Sequence, residues 1–485
     1  MASVVLTRQL KSHFEINHTH PLGLMYLAAY VRENGGHTVK ILDNLIEKWD
    51  MDSLVEKVLE GDPDVVGMTG LTYEAPTLYE FSAKIRCRAP KVLQVAGGVH
   101  ATCYTENMLR ESEIDVAVAG EGEATFAHLL EVVASGGDLN TVPGIAFLDG
   151  DRFVRTTPRG PTTDLDALPF PAWDLIPVES YFGKRMGDLM FSRPEQMSLF
   201  TSRGCPFRCI YCHNLFGSRF KASSAERVFE EIEILYHRYG IREIQIQDDV
   251  FNFDVDRAKK ICNLILDREL DLVLAFPNGL RADLMDDELI DLLYRAGARR
   301  IAYGVESAAS RIQAKIRKRI DLDKVADIVS KTARRGILVK GYFMLGFHTE
   351  TESEMRQTID FARKQMFHVV GFNRVVPTKG TELFESAREA GFQVEYDYDQ
   401  YVYDYSTINL SAVDDRTFER IFRKAFVKVY LGHPGRLLRL IRVFPNKDQL
   451  FPYYFLFFLF RLFMPKKPRQ DRKDTSFHKF WRVRY

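Results

Sequence analysis

No stretch of this 485-residue chain has the roughly eighteen consecutive apolar residues that a membrane-spanning helix needs, so a spanning protein is not expected. The nearest approach, 450–464, contains Pro452 and is interrupted by Arg461. The opening residues, Met1-Ala-Ser-Val-Val-Leu-Thr-Arg8, lack a charged segment leading into an apolar one; no export signal is expected, and a cytoplasmic location is. Cysteine is scarce: six in all, too few in so long a chain for a disulfide framework. Net charge is absent too, since 66 Lys and Arg balance 66 Asp and Glu. That balance hides an asymmetry, because 461–485 holds nine Lys/Arg against two Asp/Glu, leaving the tail at about +7 and the remainder at about −7. A basic folded face is missing, so nucleic acid is not an expected partner. No repeat of solenoid period is visible.

What is present is alternation. Apolar strand-like runs at 39–42, 65–69, 92–96, 116–119 and 145–148 are separated by helical patterns at 24–32, 53–59, 78–86 and 125–134. Short, fully apolar strands alternating with helices predict a parallel sheet covered on both faces, and such doubly wound domains bind ligands beyond the carboxyl ends of their strands. The stretch 158–177 carries five prolines and reads as an extended linker anchored by Trp173. A second array follows, with strands expected at 198–201, 243–247, 273–276, 300–303, 338–344 and 369–374. Its first helix is marked by Ser223 and Glu226 as a capping box, an apolar face of Val228, Phe229, Ile232, Leu235 and Tyr236, and Gly240 at the end. Six β/α repeats predict a partial barrel, since a closed one takes eight strands. From about Asp414 the pattern is helical, with Phe418, Ile421, Phe422, Ala425, Phe426 and Val429 on one face, then a basic stripe of Arg436, Arg439 and Arg442 beside Leu437, Leu438, Leu440 and Ile441. The expected class is α/β: a doubly wound Rossmann-like domain over 1–157, a linker over 158–190, a partial (β/α)6 TIM-like barrel over 191–412 and a helical region over 413–485.

Three of the six cysteines fall in Thr201-Ser-Arg-Gly-Cys-Pro-Phe-Arg-Cys-Ile-Tyr-Cys-His213, at C-x3-C-x2-C spacing directly after the array's first strand. In a reducing compartment such clustering points to metal ligands, and barrel enzymes keep their active sites at this end of the strands. Gly204 and Pro206 favour a loop that wraps a ligand. Three readings compete. Structural zinc wants four ligands, and His213 is poorly placed to share an ion with its neighbour Cys212. Haem attachment would fit Cys209-Ile-Tyr-Cys212-His213 but leaves Cys205 unexplained. An iron–sulfur cubane normally takes four thiolates, so three would leave one iron open to a substrate or cofactor.

The third reading is also where the sequence resembles a known family. Residues 198–376 resemble the core of the radical S-adenosylmethionine (SAM) enzymes, in which Cys205, Cys209 and Cys212 would hold a [4Fe–4S] cluster, with the aromatic Tyr211 before the last. The resemblance implies SAM on the open iron, reductively cleaved to a 5′-deoxyadenosyl radical. It also implies SAM contacts at successive strand ends: Asp248 and Asp249 in Asp-Asp-Val-Phe251, Arg281 on the SAM carboxylate, Glu306 in Tyr-Gly-Val-Glu-Ser on the ribose, and Gly341 in Gly-Tyr-Phe-Met-Leu-Gly346 near the adenine. The first domain, and the linker Asp164-Leu-Asp-Ala-Leu-Pro-Phe-Pro, resemble the cobalamin-binding branch of that family. Its expected cobalamin contacts are Leu22, Thr69, Gly70, Gly97, Gly98, His100, Gly120, Glu121 and Gly122; glycines at strand ends let backbone approach a flat ligand closely. A D-x-H-x-x-G run is absent between Gln9 and Gly23, which implies cobalamin bound without a histidine on its lower face; His100 is expected at the cofactor's edge. Cys87, Cys103 and Cys262 are read as structural.

The function so implied is methyl transfer to an unactivated carbon, or to a phosphinate phosphorus, with cobalamin as the methyl carrier and an electron donor such as flavodoxin or ferredoxin. A rival within the family is ring formation, as in the anaerobic magnesium-protoporphyrin monomethyl ester cyclases. A rival outside it is a non-catalytic redox or cobalamin-sensing protein. The run 450–460, followed by Lys466, Lys467, Arg469, Arg472 and Lys473, joins apolar and aromatic residues to cations. It suggests a peripheral place on the inner face of a membrane and a lipid or isoprenoid substrate besides a small-molecule one; a helix covering the barrel's open side fits the same residues.

Overall fold

The structure, a computed structural model, describes residues 1–9, 19–184, 190–213, 215–394 and 408–444. The apolar run 450–460 and the basic residues after it lie outside the described residues.

The first sheet has seven strands: β1 (Ser3–Arg8), β2 (Thr38–Asp43), β3 (Val65–Thr69), β4 (Leu93–Gly97), β5 (Val116–Val118), β6 (Ile145–Asp149) and β7 (Arg152–Arg155), in the order 2-1-3-4-5-6-7. β1 was not among the expected strands, yet it lies between β2 and β3 with Val4, Val5 and Leu6 buried. The expectation of an all-parallel sheet is corrected as well. β1 to β5 run parallel, whereas β6 pairs antiparallel with β5, and β7 with β6. A hairpin explains the second pairing: Gly150 takes φ +59 between Asp149 and Asp151, and a two-residue turn joins only antiparallel strands.

Strands β8 (Gln196–Leu199), β11 (Glu243–Ile246), β12 (Val273–Leu280), β13 (Ala298–Glu306), β14 (Leu338–Leu345) and β15 (Val369–Arg374) form an open, six-stranded parallel sheet in chain order. Helices including Ala225–Arg238, Val255–Asp267, Asp287–Arg295, Leu322–Arg334 and Glu352–Lys364 return the chain between strands, as parallel connections require. Between β8 and β11 the chain forms a small antiparallel pair, β9 (Ser202–Arg203) with β10 (Lys221–Ala222). The cysteine segment is the excursion that this two-stranded stem closes.

Two local expectations shift. The helix Ala225–Arg238 is capped by Ser224, whose hydroxyl accepts from Arg227 N at 3.2 Å, not by Ser223. Ser223 is held by its backbone instead, its N–H donating to Thr201 O and its carbonyl accepting from Arg257 Nε. Arg436 leaves the expected basic stripe: it is 1% exposed and donates to Ala362 O (2.7 Å), Arg363 O (3.0 Å) and Gln365 O (3.2 Å). A cation there answers the orphaned carbonyls and the negative end of the helix Glu352–Lys364.

The 158–184 stretch straps the two sheets together. Trp173 and Tyr181 are buried, Ala172 N donates to Met25 O, the Tyr181 hydroxyl donates to Asp43, and Asp166 accepts from Ser224 N. One apolar core runs from Val4 and Val95 through Trp173 and Tyr181 to Ile244 and Phe372.

Candidate active site

The site is built from the cysteine stem upward. β8 ends at Leu199, and two residues on Thr201 gives its backbone N–H (2.6 Å) and its hydroxyl (2.5 Å) to the Asp248 carboxylate, which also accepts from Ser202 Oγ at 2.6 Å. Asp248 is 2% exposed; burial pushes its carboxyl above the ordinary range, against the pull of Arg257 and these hydrogen bonds. Arg257 ties the two ends of the stem, donating to Thr201 O at 2.7 Å and Ser223 O at 2.5 Å. Asp249 accepts from Gly204 N at 3.1 Å, and burial raises its carboxyl as well. Gly204 is obligatory: with φ +81, a Cβ here would stand 2.4 Å from Arg219 O.

Within the loop, Cys205 N donates to Gly217 O, Cys212 N to Cys209 O, and Ile210 N to Ile316 O, so the loop is seated on the segment after β13. All three thiols are free. Burial raises the Cys205 thiol; burial, then the nearby Cys209 and Cys205 sulfurs, push Cys212 up to about 12. Such thiols keep their protons until a metal displaces them. Among the described residues no three His, Cys, Asp or Glu side chains gather closely enough to share a single ion. A cubane asks for a different arrangement, because each thiolate binds its own iron, and three free, mutually interacting sulfurs on one anchored loop fit that demand.

The other residues expected around SAM divide. Glu306 ends β13 in the left-handed region at φ +66, where a non-glycine residue is strained, and it faces Lys318 at 3.4 Å. Tyr211 lies 5.8 Å from the Phe347 ring, and burial, then Glu306, keep its hydroxyl protonated. Arg281 is forked onto Asp283 (2.9 and 2.6 Å), with its guanidinium 3.6 Å above the Phe207 ring of the cysteine loop. Two expectations are corrected. Asp248 grips the backbone and hydroxyls of the stem and is too enclosed to meet a ligand, whereas Asp249 is exposed with one carboxylate oxygen on Gly204 N. Gly341 lies inside β14, where a Cβ would meet Phe343 and Phe367 at 2.8 Å; it is a packing glycine.

In the first sheet, β3, β4 and β5 deliver Thr69-Gly70, Gly97-Gly98 and Gly120-Glu-Gly122 to one edge. Thr69 Oγ1 donates to Gly97 O at 3.2 Å, and Gly120 N donates to Thr102 Oγ1 at 3.1 Å. Gly98 has φ +89, and a Cβ on it would stand 2.5 Å from Thr69 Oγ1; at Gly120 a Cβ would meet nothing within 4 Å. Bare backbone, with open space at Gly120, suits a large flat ligand. His100, expected at that ligand's edge, is fully buried: Nε2 is 2.8 Å from the Tyr79 hydroxyl, its ring stacks on Tyr104, and burial lowers its pKa to about 4. Leu22 opens the helix Leu22–Gly35 as a core residue. Glu121 turns away from the edge to pair with Arg203 and Lys221.

Contacts between the sheets bring the two strand-end regions together. Cys103 Sγ, after β4, is 3.9 Å from His213 Nδ1, and Lys379 Nζ, after β15, is 3.0 Å from Asn107 Oδ1. Sequence reasoning missed Thr201, Arg203, Lys221, Arg257 and Glu74. The last has one oxygen accepting from Leu71 N and the other buried without a hydrogen-bond partner among the described residues, and burial raises its carboxyl to about 7. Arg203, two residues before Cys205, carried the one signal that could have been used.

An open parallel sheet with a three-thiol loop at its first strand end, facing a glycine-edged doubly wound sheet, defines a two-cofactor radical enzyme. Residues 199–362 match the radical SAM superfamily and residues 17–130 the B12 binding domain. The chain is 32% identical over 419 residues to an uncharacterized methyltransferase of Pyrococcus horikoshii, across 85% of this chain and 88% of that protein. It is 26% identical over 433 residues to the anaerobic magnesium-protoporphyrin IX monomethyl ester cyclase of Rubrivivax gelatinosus, across 85% and 75%. The structure of the cobalamin-dependent S-adenosylmethionine radical enzyme OxsB, with aqua-cobalamin and S-adenosylmethionine bound, shares the fold at a TM-score of 0.73 and 16% identity, covering 96% of this chain and 76% of that one. The chain belongs to the cobalamin-binding radical SAM family, whose enzymes use a [4Fe–4S] cluster, SAM and cobalamin.

Proposed function

We propose that this enzyme transfers a methyl group from SAM to an unactivated carbon, or to a phosphinate phosphorus, of a small-molecule or lipid substrate. The observation that carries the reading is a stem-closed loop of three thiols set against the glycine-lined edge of the first sheet. The bound cofactors would supply reductive SAM cleavage, hydrogen abstraction and methyl carriage. The protein's part is binding, orientation and the exclusion of water. Cys205, Cys209 and Cys212 would hold three irons and leave the fourth to SAM, while Asp248, Asp249 and Arg257 keep the loop closed. Glu306 would accept from two ribose hydroxyls, Tyr211 would wall the pocket and Arg281 would bind the SAM carboxylate. Thr69, Gly70, Gly97, Gly98, Gly120 and Gly122 would offer backbone to the corrin.

Similarity to a ring-forming cyclase supports a second reading, oxidative cyclisation with the same cofactors. Anaerobically reconstituted enzyme given dithionite, methyl-labelled SAM and candidate substrates separates the readings. Label in the product supports methylation; 5′-deoxyadenosine with unlabelled product supports cyclisation; no SAM cleavage under any condition leaves only a sensor or redox protein. Iron, sulfide and corrin analysis of the same sample tests both cofactors before a substrate is known.

The proposal extends to a peripheral site on the cytoplasmic face of a membrane and a donor of the flavodoxin or ferredoxin class. Among the described residues no helix is long and apolar enough to cross a membrane. Support for surface binding comes from the helix Pro434–Val443, where Leu437, Leu438 (70% exposed) and Ile441 face outward beside Arg442, just before the apolar and basic run. Flotation with phosphatidylglycerol vesicles should carry the full chain and not one ending at Asp448; equal flotation of both removes the tail from the argument.

A further inference from the structure

The thiol loop and the glycine-lined edge belong to different sheets, and one buried ion cluster spans them. Arg203, with 6% of its side chain exposed, donates to Glu123 Oε1 at 2.6 Å and to Glu121 Oε2 at 3.3 Å. Lys221 pairs with the other oxygen of Glu121. Tyr26 and Phe216 flank the guanidinium, their ring centres 5.0 and 5.4 Å from its carbon. Two cations meet two carboxylates, so the cluster is neutral.

Its topology matters more than its energy. Arg203 and Lys221 are direct cross-strand partners in the β9/β10 stem. Like charges placed opposite one another in a strand pair repel, so this stem resists closing by itself. Both carboxylates that relieve the repulsion come from the Gly120-Glu-Gly-Glu123 turn after β5 in the other sheet. Buried ion pairs give little net stability over apolar replacements; what they supply is a fixed geometry. The stem that presents Cys205 is thus completed by the turn that borders the corrin edge.

We propose that Arg203, Lys221, Glu121 and Glu123 form a clamp that sets the thiol loop against the glycine-lined edge, with Arg203 as its positioning residue. The clamp rests on the cofactor assignment above and adds a coupling to it. A ligand that orders the Gly120–Gly122 turn also orders the stem, and by reciprocity a filled cluster site tightens the turn.

Hydrogen exchange on the cluster-free chain tests this without turnover. Adding hydroxocobalamin to wild type should slow amide exchange at 119–123 and also at 202–205 and 220–222. The double substitution Arg203→Met with Glu123→Met removes a cation and an anion together and leaves no orphaned charge. It should still take up cobalamin and still slow exchange at 119–123, while slowing at the stem falls about fivefold or more. Arg203→Lys keeps the charge without the fork, should fall between the two, and serves as the test if the double variant does not fold. In the loaded enzyme the ratio of S-adenosylhomocysteine to 5′-deoxyadenosine should fall about tenfold. Equal stem protection in wild type and variants overturns the clamp alone. A wild-type chain that takes up no hydroxocobalamin, seen from its corrin absorbance, overturns the cofactor assignment as well.

Discussion

Glu350 sits after β14 with one carboxylate oxygen accepting from Gly346 N and Phe347 N and the other buried without a hydrogen-bond partner among the described residues. Burial raises its carboxyl from 4.5 to about 7. Between those values the unfolded chain has released the proton and the folded chain has not, so this group's contribution to stability is full at low pH and is lost as pH rises toward 7, by at most roughly 3 kcal/mol. Glu350→Gln keeps an acceptor for the two N–H groups and cannot ionise. Melting of the cluster-free chain should therefore match wild type near pH 5 and exceed it near pH 8; equal melting at both values would show that the carboxyl is not held protonated. Glu306, with its strained backbone, is the proposed ribose contact. Glu306→Gln should weaken SAM binding about tenfold or more, read by equilibrium dialysis of the reconstituted enzyme, because one charged acceptor for two hydroxyls is lost.

At the scale of elements, the closest tolerances lie where one strand end leans on the next. Gly98→Ala would press a methyl against Thr69 Oγ1 in a backbone conformation that disfavours side chains, at a cost of about 1–3 kcal/mol. Lowered melting with reduced cobalamin uptake is expected; unchanged uptake would take this edge out of the corrin site. Arg436→Met should destabilise by roughly 2–4 kcal/mol in urea unfolding, since the last carbonyls of the helix Glu352–Lys364 lose their buried donor. The alternating pattern carried most of the architecture: eleven expected strands have counterparts in β2 to β6, β8 and β11 to β15. β1 escaped because Val4-Val5-Leu6 is too short a run to distinguish from an unstructured terminus. The antiparallel β7 escaped because Arg152-Phe-Val-Arg155 is half exposed and lacks a continuous apolar signal. At the site, the spacing of Cys205, Cys209 and Cys212 marked the loop, while the resemblance to a known family chose iron–sulfur among three readings. The tasks of Asp248, Glu121 and His100 were not, because whether a polar residue faces a ligand or a neighbouring loop is decided by tertiary packing, which no local pattern encodes.

Across the whole molecule, the linker is structural cement, not a tether. Trp173 and Tyr181 lie in an apolar core continuous through both sheets, and Arg32 with Asp174 and Tyr181 with Asp43 fix its course. Two units sharing a core should unfold together, so calorimetry of the cluster-free chain should give one transition with matching calorimetric and van't Hoff enthalpies. Two resolved transitions would mean that the strap contributes little.

The knot of Thr201, Asp248 and Arg257 has a bearing on the cysteine thiols. It closes the neck of the cysteine loop with oxygen and nitrogen atoms only, so none of the bonds that draw its two ends together uses a sulfur. All three thiols of that loop are thereby left uncommitted to the architecture and free to serve as ligands.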